Sequence, residues 1–158
     1  MGFLKCAIYC IVLGFGSFLA GRLVPDSWVC WQRFPYKPFA WEKNGSFYNR
    51  FGIRKWQAKV PDMSKIFPRL IQAKKVTDNF VTELPTMIRE TCIAEFIHGL
   101  LFILVLPCLW IWPGVGGIAF VVLYDLINLP FIMIQRYNRP RLVRLRKKLD
   151  QTRKEENI

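Results

Sequence analysis

The chain has 158 residues, of which 53% are hydrophobic and 22% are charged, and its formal net charge is +12. Its mean hydropathy of +0.20 is too high for an ordinary basic soluble domain, so the composition indicates a membrane protein. The single histidine excludes enzymes that need several, such as three-histidine zinc hydrolases and multi-histidine diiron desaturases.

The first apolar stretch, Cys6–Ala20, lies between Lys5 and Arg22. We expect it to form an N-terminal transmembrane helix within residues 1–24. A cleaved signal peptide is the alternative, but the bulky Phe18 stands where a cleavage site needs a small residue, and the basic leader is a single lysine. A retained membrane anchor is therefore the favoured interpretation.

The second apolar stretch is long enough to cross a bilayer twice. From Phe96 to Tyr124 it contains no Asp, Glu, Lys or Arg, and one helical crossing needs about 20 residues. The run Pro113–Gly117 is rich in glycine and begins with proline, which favours a tight turn. We therefore predict crossings at Phe96–Trp112 and Val115–Ile134, within a helix and hairpin that span residues 86–135.

The distribution of charge predicts the orientation. Residues 136–158 contain nine basic and three acidic side chains, and an excess of Lys and Arg places such a tail in the cytoplasm. With three crossings, residues 25–85 lie on the same side, and we call them the interfacial segment. The sequence thus predicts an all-α, multi-pass protein of the cell membrane with about three transmembrane helices, interfacial amphipathic helices and a basic cytoplasmic tail at 136–158.

The interfacial segment interleaves aromatic and basic side chains between Trp28 and Trp56. This mixture is typical of single-stranded nucleic-acid binding, but beside a membrane anchor it favours rings at the headgroup level and cations on anionic phospholipid headgroups. We expect a short amphipathic helix at Gly45–Lys59 and no nucleic-acid partner. A purely structural aromatic shelf on the lipid is the alternative.

A helix that we expect to begin near Thr86 carries Thr91, Glu95 and His98 on one face, at positions i, i+4 and i+7. A carboxylate that holds one imidazole nitrogen leaves the other free to take a proton from a hydroxyl. Glu95 and His98 are therefore the candidate catalytic residues. The alternative is a histidine that only bonds a neighbouring helix. We expect no metal site, because further ligands are missing.

The returning crossing carries Asp125 and Asn128 near one face. Folding the hairpin about Gly114 should place Asn128 within about one helical turn of Glu95 and His98. Polar side chains inside a membrane usually face the helix bundle and are functional candidates.

The run Gln135–Leu142 follows this crossing and places three guanidinium groups within six positions at the bilayer rim. Such a group can hold phosphate or carboxylate. Positive-inside anchoring is the alternative, although it needs only charge and does not require the aromatic and amide side chains of this run. The substrate-binding candidates here are Arg136, Tyr137, Asn138, Arg139 and Arg141.

Six motifs together carry a resemblance to a known family. They are Glu42–Asn49, Arg54-Lys55-Trp56, Glu90-Thr91, Ala94-Glu95-x-Ile97-His98, Asn128-x-Pro130 and Gln135–Leu142. Over about Trp41–Leu142 the chain resembles the small glycosyl-diaponeurosporenoate acyltransferase family, and the most specific part is Gln135–Leu142. The N-terminal helix matches only in kind. In that family a fatty acyl chain is placed on the sugar of a glycosylated carotenoid.

The resemblance implies a membrane acyltransferase that moves a fatty acyl chain to a sugar hydroxyl of a membrane glycolipid. In this hypothesis His98, oriented by Glu95, takes the proton of the hydroxyl. Asn128 or the Nε1 of Trp56 would donate a hydrogen bond to the oxyanion. The acyl donor would be an acyl-CoA or an acyl carrier, and we expect no tightly bound cofactor.

The phosphates of the donor would be held at the membrane rim by Arg136, Arg139 and Arg141. Arg54 is a further substrate-binding candidate. A carotenoid glycoside and another glycolipid suit the same apolar groove, so the sequence leaves the acceptor open. The alternative to catalysis is a small membrane subunit that binds lipid headgroups or a partner enzyme. A membrane protein partner or a homo-oligomer is compatible with both.

Overall fold

The computed structural model describes residues 1–60 and 80–156. These residues form helices and turns and contain no strand, which confirms the predicted all-α class. The α-helices are α1 Gly2–Arg22, α2 Ile53–Trp56, α3 Phe80–Leu104, α4 Cys108–Ile111 and α5 Val115–Glu156. Short 3₁₀ helices lie at Asp26–Trp28, Ala40–Glu42, Ser46–Phe51 and Gln57–Lys59.

Three helical stretches are long and apolar enough to cross a membrane, namely Gly2–Arg22, Thr82–Ile111 and Val115–Glu155. This agrees with the three predicted crossings. α3 and α5 pack along each other, and α1 packs against both. Leu123 and Ile127 on α5 are each 58% exposed, as expected for a helix whose outer face contacts lipid.

The helices differ from their predicted bounds where proline is tolerated. α3 begins at Phe80 instead of near Thr86, and Pro85 lies inside it. A proline close to the start of a helix removes one backbone hydrogen bond and leaves the following turns intact. α5 continues through both Pro130 and Pro140. The predicted crossing and the basic tail therefore form a single helix.

The break between α3 and α4 also lies at a proline. α3 ends at Leu104, because Pro107 has no N–H to continue the backbone hydrogen bonds and its ring clashes with the preceding turn. The carbonyl of Leu104 instead accepts a 2.7 Å hydrogen bond from the hydroxyl of Tyr9 on α1. This bond joins the N-terminal helix to the hairpin.

α5 is longer than a membrane is thick. Its 42 residues correspond to about 63 Å at 1.5 Å per residue, whereas a hydrocarbon core measures about 30 Å. α5 therefore extends well beyond the hydrocarbon. Since its basic side chains are concentrated in its second half, this helix connects the apolar hairpin to the polar surface.

Short helical turns form the described part of the interfacial segment, residues 25–60. The amphipathic helix predicted at Gly45–Lys59 is interrupted at Gly52, whose φ of 64° is left-handed. Trp28 and Phe34 are 64% and 81% exposed. These rings fit a position at the headgroup level, and the lipid contact itself stays a prediction.

One turn of this segment docks directly on α5. Lys43, Asn44 and Gly45 have left-handed φ angles of 48°, 54° and 84°. A Cβ atom on Gly45 would lie only 3.0 Å from the carbonyl oxygen of Tyr137 and 3.2 Å from that of Arg136. Because glycine lacks this atom, the backbone of the turn can approach the backbone of α5.

Candidate functional site

Four charged side chains are buried where α3, α5 and the interfacial segment meet. Glu42 is 1% exposed, Glu95 8%, Arg136 8% and Arg139 1%. The two carboxylates balance the two guanidinium groups, so these four residues, called the charged cluster below, have no net charge. Buried charges persist only when they are paired and hydrogen-bonded.

Arg136 lies at the centre of the charged cluster. Its Nε donates to Oε1 of Glu42 and its Nη2 donates to Oε2 at 2.8 Å, which makes a two-point contact with the carboxylate. Its Nη1 donates to Oε1 of Glu95. The other oxygen of Glu95 accepts a 2.5 Å hydrogen bond from Nη2 of Arg139, so Glu95 bridges the two arginines.

Backbone carbonyls and a threonine complete these contacts. Nη1 of Arg136 also donates to the carbonyl of Pro35 at 3.0 Å. Arg139 donates from Nε to Oγ1 of Thr91 at 2.9 Å and from Nη1 to the carbonyl of Tyr36 at 2.7 Å. Every nitrogen of both guanidinium groups therefore has an acceptor, and the interfacial segment is held against α5.

In this arrangement Arg136 and Arg139 have partners within the protein, and their binding of an acyl donor's phosphates stays a prediction. Their hydrogen bonds go to groups of the protein, and a phosphate would have to displace a buried carboxylate, which is costly. Arg141 is more exposed. It donates to the carbonyl of Tyr137, and its guanidinium lies 3.3 Å from the centre of the Tyr137 ring.

Glu42 accepts hydrogen bonds from three residues. Besides Arg136, the hydroxyl of Tyr48 donates to Oε1 and the N–H of Phe39 donates to Oε2 at 2.7 Å. Burial alone would raise the pKa of Glu42, but these hydrogen bonds outweigh it and lower the pKa below its usual value. Burial and the contact with Glu42 raise the pKa of Tyr48. Glu42 is therefore held in its ionised form.

His98 lies in the interface of α3 and α5, beside Asn128. Nδ1 of His98 is 3.0 Å from Oδ1 of Asn128, and Nδ2 of Asn128 donates to the carbonyl of Tyr124 at 3.0 Å. The His98 ring stacks on Phe131, with ring centroids 4.6 Å apart and 11° between the planes. The predicted proximity of Asn128 to His98 is confirmed.

The partners of Asn128 define which nitrogen of His98 carries the proton. The carbonyl of Tyr124 can only accept a hydrogen bond, so the amide nitrogen of Asn128 points to it and the amide oxygen points to His98. Nδ1 must then be protonated, and Nε2 holds the lone pair. Among the residues that the structure describes, Nε2 has no hydrogen-bond partner. It is a nitrogen that can accept a proton.

Glu95 does not orient His98, contrary to the prediction. Its carboxylate oxygens contact Arg136 and Arg139, because two guanidinium groups compensate a buried carboxylate far better than a neutral imidazole does. The orienting group is the amide of Asn128. A histidine with an asparagine partner also serves papain-like proteases, so the pair retains the form of a general base.

The predicted donors to an oxyanion have other partners. Nε1 of Trp56 donates to the carbonyl of Phe51 at 2.8 Å, and a Trp side chain has no second donor. Asn128 is bonded at both ends of its amide. The roles predicted for Trp56 and Asn128 as oxyanion donors therefore stay predictions, and in this structure Asn128 contacts Nδ1 of His98.

The other predicted binding residues surround Tyr137 and join α5 to the interfacial segment. Tyr137 is 3% exposed, and its hydroxyl accepts a 3.1 Å hydrogen bond from Nε of Arg54. Nδ2 of Asn138 donates to Oε1 of Gln57 at 3.3 Å. These contacts belong to the packing of the segment and do not involve His98.

The amino-acid sequence alone does not show that Glu42 is the partner of Arg136. Glu42 is the only acid between Trp28 and Trp56. A single acid within an aromatic and basic segment suggests a specific partner, because an acid is buried only when it is paired.

The fold and the site define a small integral membrane protein whose helical hairpin holds an oriented imidazole beside a charged cluster. The family model described as glycosyl-4,4'-diaponeurosporenoate acyltransferase matches residues 32–148. Two proteins of that name, from Staphylococcus aureus strains MRSA252 and USA300, are each 32% identical over 143 residues, which cover 89% of this chain and 85% of the relative. No solved structure matches significantly.

The chain belongs to the glycosyl-4,4'-diaponeurosporenoate acyltransferase family. This confirms the resemblance predicted from the motifs and identifies the chain as an acyltransferase. It also favours the enzyme over the alternative of a non-catalytic membrane subunit.

Proposed function

We propose that this acyltransferase moves a fatty acyl chain from an acyl thioester to a sugar hydroxyl of a membrane glycolipid, with His98 as the general base. The observation that carries the proposal is the 3.0 Å contact between Nδ1 of His98 and Oδ1 of Asn128. It holds the ring and leaves Nε2 available for a proton. Because the relatives are named for glycosyl-4,4'-diaponeurosporenoate, a glycosylated carotenoid is the first acceptor to test.

In the proposed reaction, Nε2 of His98 takes the proton of the sugar hydroxyl while its oxygen attacks the carbonyl carbon of the thioester. The tetrahedral intermediate then collapses, the C–S bond breaks, and the imidazolium returns the proton to the leaving sulfur. The products are an ester on the sugar and a free thiol. Asn128 stabilises the imidazolium, since its amide oxygen accepts the Nδ1 proton. The scheme needs no tightly bound cofactor.

The position of His98 suits an acceptor anchored in lipid. On α3 it follows Glu95 by one helical turn, so it lies between the charged cluster and the apolar part of the hairpin. Ile103 on α3 and Leu126 on α5 are 63% and 59% exposed. The sugar would approach from the side of the charged cluster, while the apolar tail stays among such lipid-facing side chains.

The charged cluster and the C terminus would lie on the cytoplasmic side of the cell membrane. The excess of Lys and Arg in residues 136–158 supports this orientation. The exposed rings and cations of the interfacial segment would then contact anionic phospholipid headgroups. An acyl-CoA or an acyl carrier could reach the site from the cytoplasm, and assembly with itself or another membrane protein is compatible with this arrangement.

Substitution of His98 tests the function. His98→Ala, purified in detergent and given acyl-CoA and a glycosylated carotenoid, should transfer acyl groups about 10²- to 10⁴-fold more slowly, because the base is missing. The measurements are CoA release and mass spectrometry of the acylated lipid. The unfolding midpoint should fall only modestly, because the buried amide of Asn128 loses one partner, at about 1–3 kcal/mol, while the charged cluster stays intact.

A reaction without acceptor gives the background hydrolysis of acyl-CoA. Full transfer by a folded His98→Ala protein would show that another group is the base. Wild-type protein that leaves every glycolipid unmodified under these conditions would contradict the proposed function itself.

A further inference from the structure

A cleft of about 470 Å³ lies beside the charged cluster, between the interfacial segment and the second half of α5. Lys37 from the segment and Arg144 and Lys147 from α5 line it, and all three side chains are exposed. Arg144 and Lys147 are three residues apart and thus share one face of the helix. Within the described residues, no carboxylate lines the cleft.

These cations differ from the arginines of the charged cluster in their contacts. Nε of Arg144 donates to the carbonyl of Pro140 at 3.3 Å. In the part of the chain that the structure describes, no acid forms an ion pair with Lys37, Arg144 or Lys147. Several cations without a counter-ion in a concave site attract a ligand that carries several negative charges.

Neutral groups in the cleft suit a nucleobase. Trp31 is partly buried, packs against a core of apolar side chains, and also lines the cleft. A base can stack on such a ring. The amides of Gln32 and Asn44 line the same cleft and offer both hydrogen-bond donors and acceptors.

We propose that this cleft binds the nucleotide end of an acyl-CoA donor, with its phosphates on Lys37, Arg144 and Lys147 and its adenine against Trp31. The inference rests on the proposed acyl transfer. CoA carries a diphosphate and a 3′-phosphate, whereas the arm of a carrier protein and the headgroup of phosphatidylglycerol each offer a single phosphodiester. The volume also falls within the range of about 300–1,000 Å³ of small-molecule sites, while a carrier protein would need a broad surface of about 800 Å².

The separation from His98 agrees with this assignment. Arg144 lines the cleft, and Asn128, which contacts His98, precedes it by sixteen residues on α5. This spacing corresponds to about 24 Å along the helix axis. The pantetheine arm of CoA and the long side chain of Arg144 together span a comparable length, so the thioester can reach the imidazole while the nucleotide stays in the cleft.

Two paired substitutions on α5 test the assignment. Arg144→Gln with Lys147→Gln removes two cations from the cleft. Arg146→Gln with Lys148→Gln removes the same charge from neighbouring exposed positions that do not line it. In full-length protein in detergent, the Kd for CoA should rise by roughly tenfold to a hundredfold in the cleft variant and by less than about threefold in the control.

Lys147→Gln alone should raise the Kd in the same direction by a smaller factor, and unfolding midpoints verify that all variants are folded. Equal CoA affinity in the two paired variants would overturn the inference. So would binding only of an acyl carrier protein thioester, or complete displacement of CoA by phosphatidylglycerol added to the micelles, because either result gives the cleft another ligand.

The binding assay separates this inference from the proposed function. CoA binding that depends on Arg144 and Lys147, in a protein that transfers no acyl group, would support the cleft and reject the reaction. Acyl transfer from acyl-CoA with a KM that is insensitive to both positions would support the reaction and reject the cleft.

Discussion

Two polar sites follow each other along the interface of α3 and α5, and they are built in opposite ways. In the charged cluster, every guanidinium nitrogen of Arg136 and Arg139 has an acceptor within the protein. In the neutral pair of His98 and Asn128, one imidazole nitrogen has no partner among the described residues. Buried charge in this protein is thus structural, whereas the unpartnered imidazole nitrogen is the group that we propose takes a proton.

The two sites also differ in what they connect. Glu42 and Arg136 are 94 residues apart in the chain, so the charged cluster fixes the interfacial segment to the hairpin. His98 and Asn128 are 30 residues apart and belong to the hairpin itself. Substitutions in the charged cluster should therefore change stability, and substitutions in the neutral pair should change the rate.

The largest effect is expected for Arg136→Ala. This change leaves Glu42 buried without its main cation, and breaking a buried ion pair in this way costs about 3–5 kcal/mol. Unfolding in detergent, followed by circular dichroism against denaturant, measures the loss.

The matched control removes both partners, with Arg136→Met and Glu42→Leu. We expect this double variant to be more stable than Arg136→Ala, because no unpaired carboxylate remains at position 42 and Glu95 keeps its contact with Arg139. If Arg136→Ala unfolds at the same denaturant concentration as the wild type, the charged cluster does not hold the segment.

A smaller effect is expected for Asn128→Ala, this time on the rate. Without the amide oxygen the imidazole is no longer held in one tautomer and orientation, so kcat should fall on the order of tenfold to a hundredfold. The KM for acyl-CoA should change little, because the proposed nucleotide site lies in the cleft, away from Asn128.

Asn138→Ala is the comparison for this change, since Asn138 also lies on α5 and donates from its amide, but to Gln57. Its kcat should stay within about threefold of the wild-type value, because this half-buried contact does not involve His98. An equal loss of kcat in both variants would mean that Asn128 acts on the fold and has no specific role at His98.

The smallest and most gradual effect is expected from pH. The pKa of Glu42 is lower in the folded protein than in the unfolded chain, so its stabilising contribution is complete above the unfolded pKa and is lost as pH falls through the folded pKa. The unfolding midpoint should therefore decrease on acidification below the ordinary glutamate range. Glu42→Gln should be less stable at neutral pH, and its unfolding midpoint should decrease less on acidification. If the midpoint of Glu42→Gln follows pH as that of the wild type does, Glu42 is not the group that titrates.

The hairpin and the neutral pair could be predicted from the sequence because both depend on local geometry. A charge-free stretch with a turn at its centre fixes which positions of two antiparallel helices face each other. Counting from Gly114 therefore places Asn128 near His98, and the 3.0 Å contact confirms it.

The partner of Glu95 could not be predicted in the same way. Helical periodicity shows that Glu95 and His98 share a face, but it does not rank an imidazole against guanidinium groups from another helix. That competition is decided by burial and charge in the folded protein. Glu42 was even less predictable, since its contact with Arg136 requires the docking of the Lys43–Gly45 turn on α5.

The unbroken length of α5 has one more consequence. Asn128, the arginines and the cationic cleft occupy one continuous rod, so their mutual spacing and angular register are set by a count of residues. Inserting a single residue after Asn128 would shift everything beyond it by about 1.5 Å and rotate it by about 100°. An insertion or deletion in this part of α5 should therefore disturb the enzyme far more than a single substitution of an exposed apolar side chain.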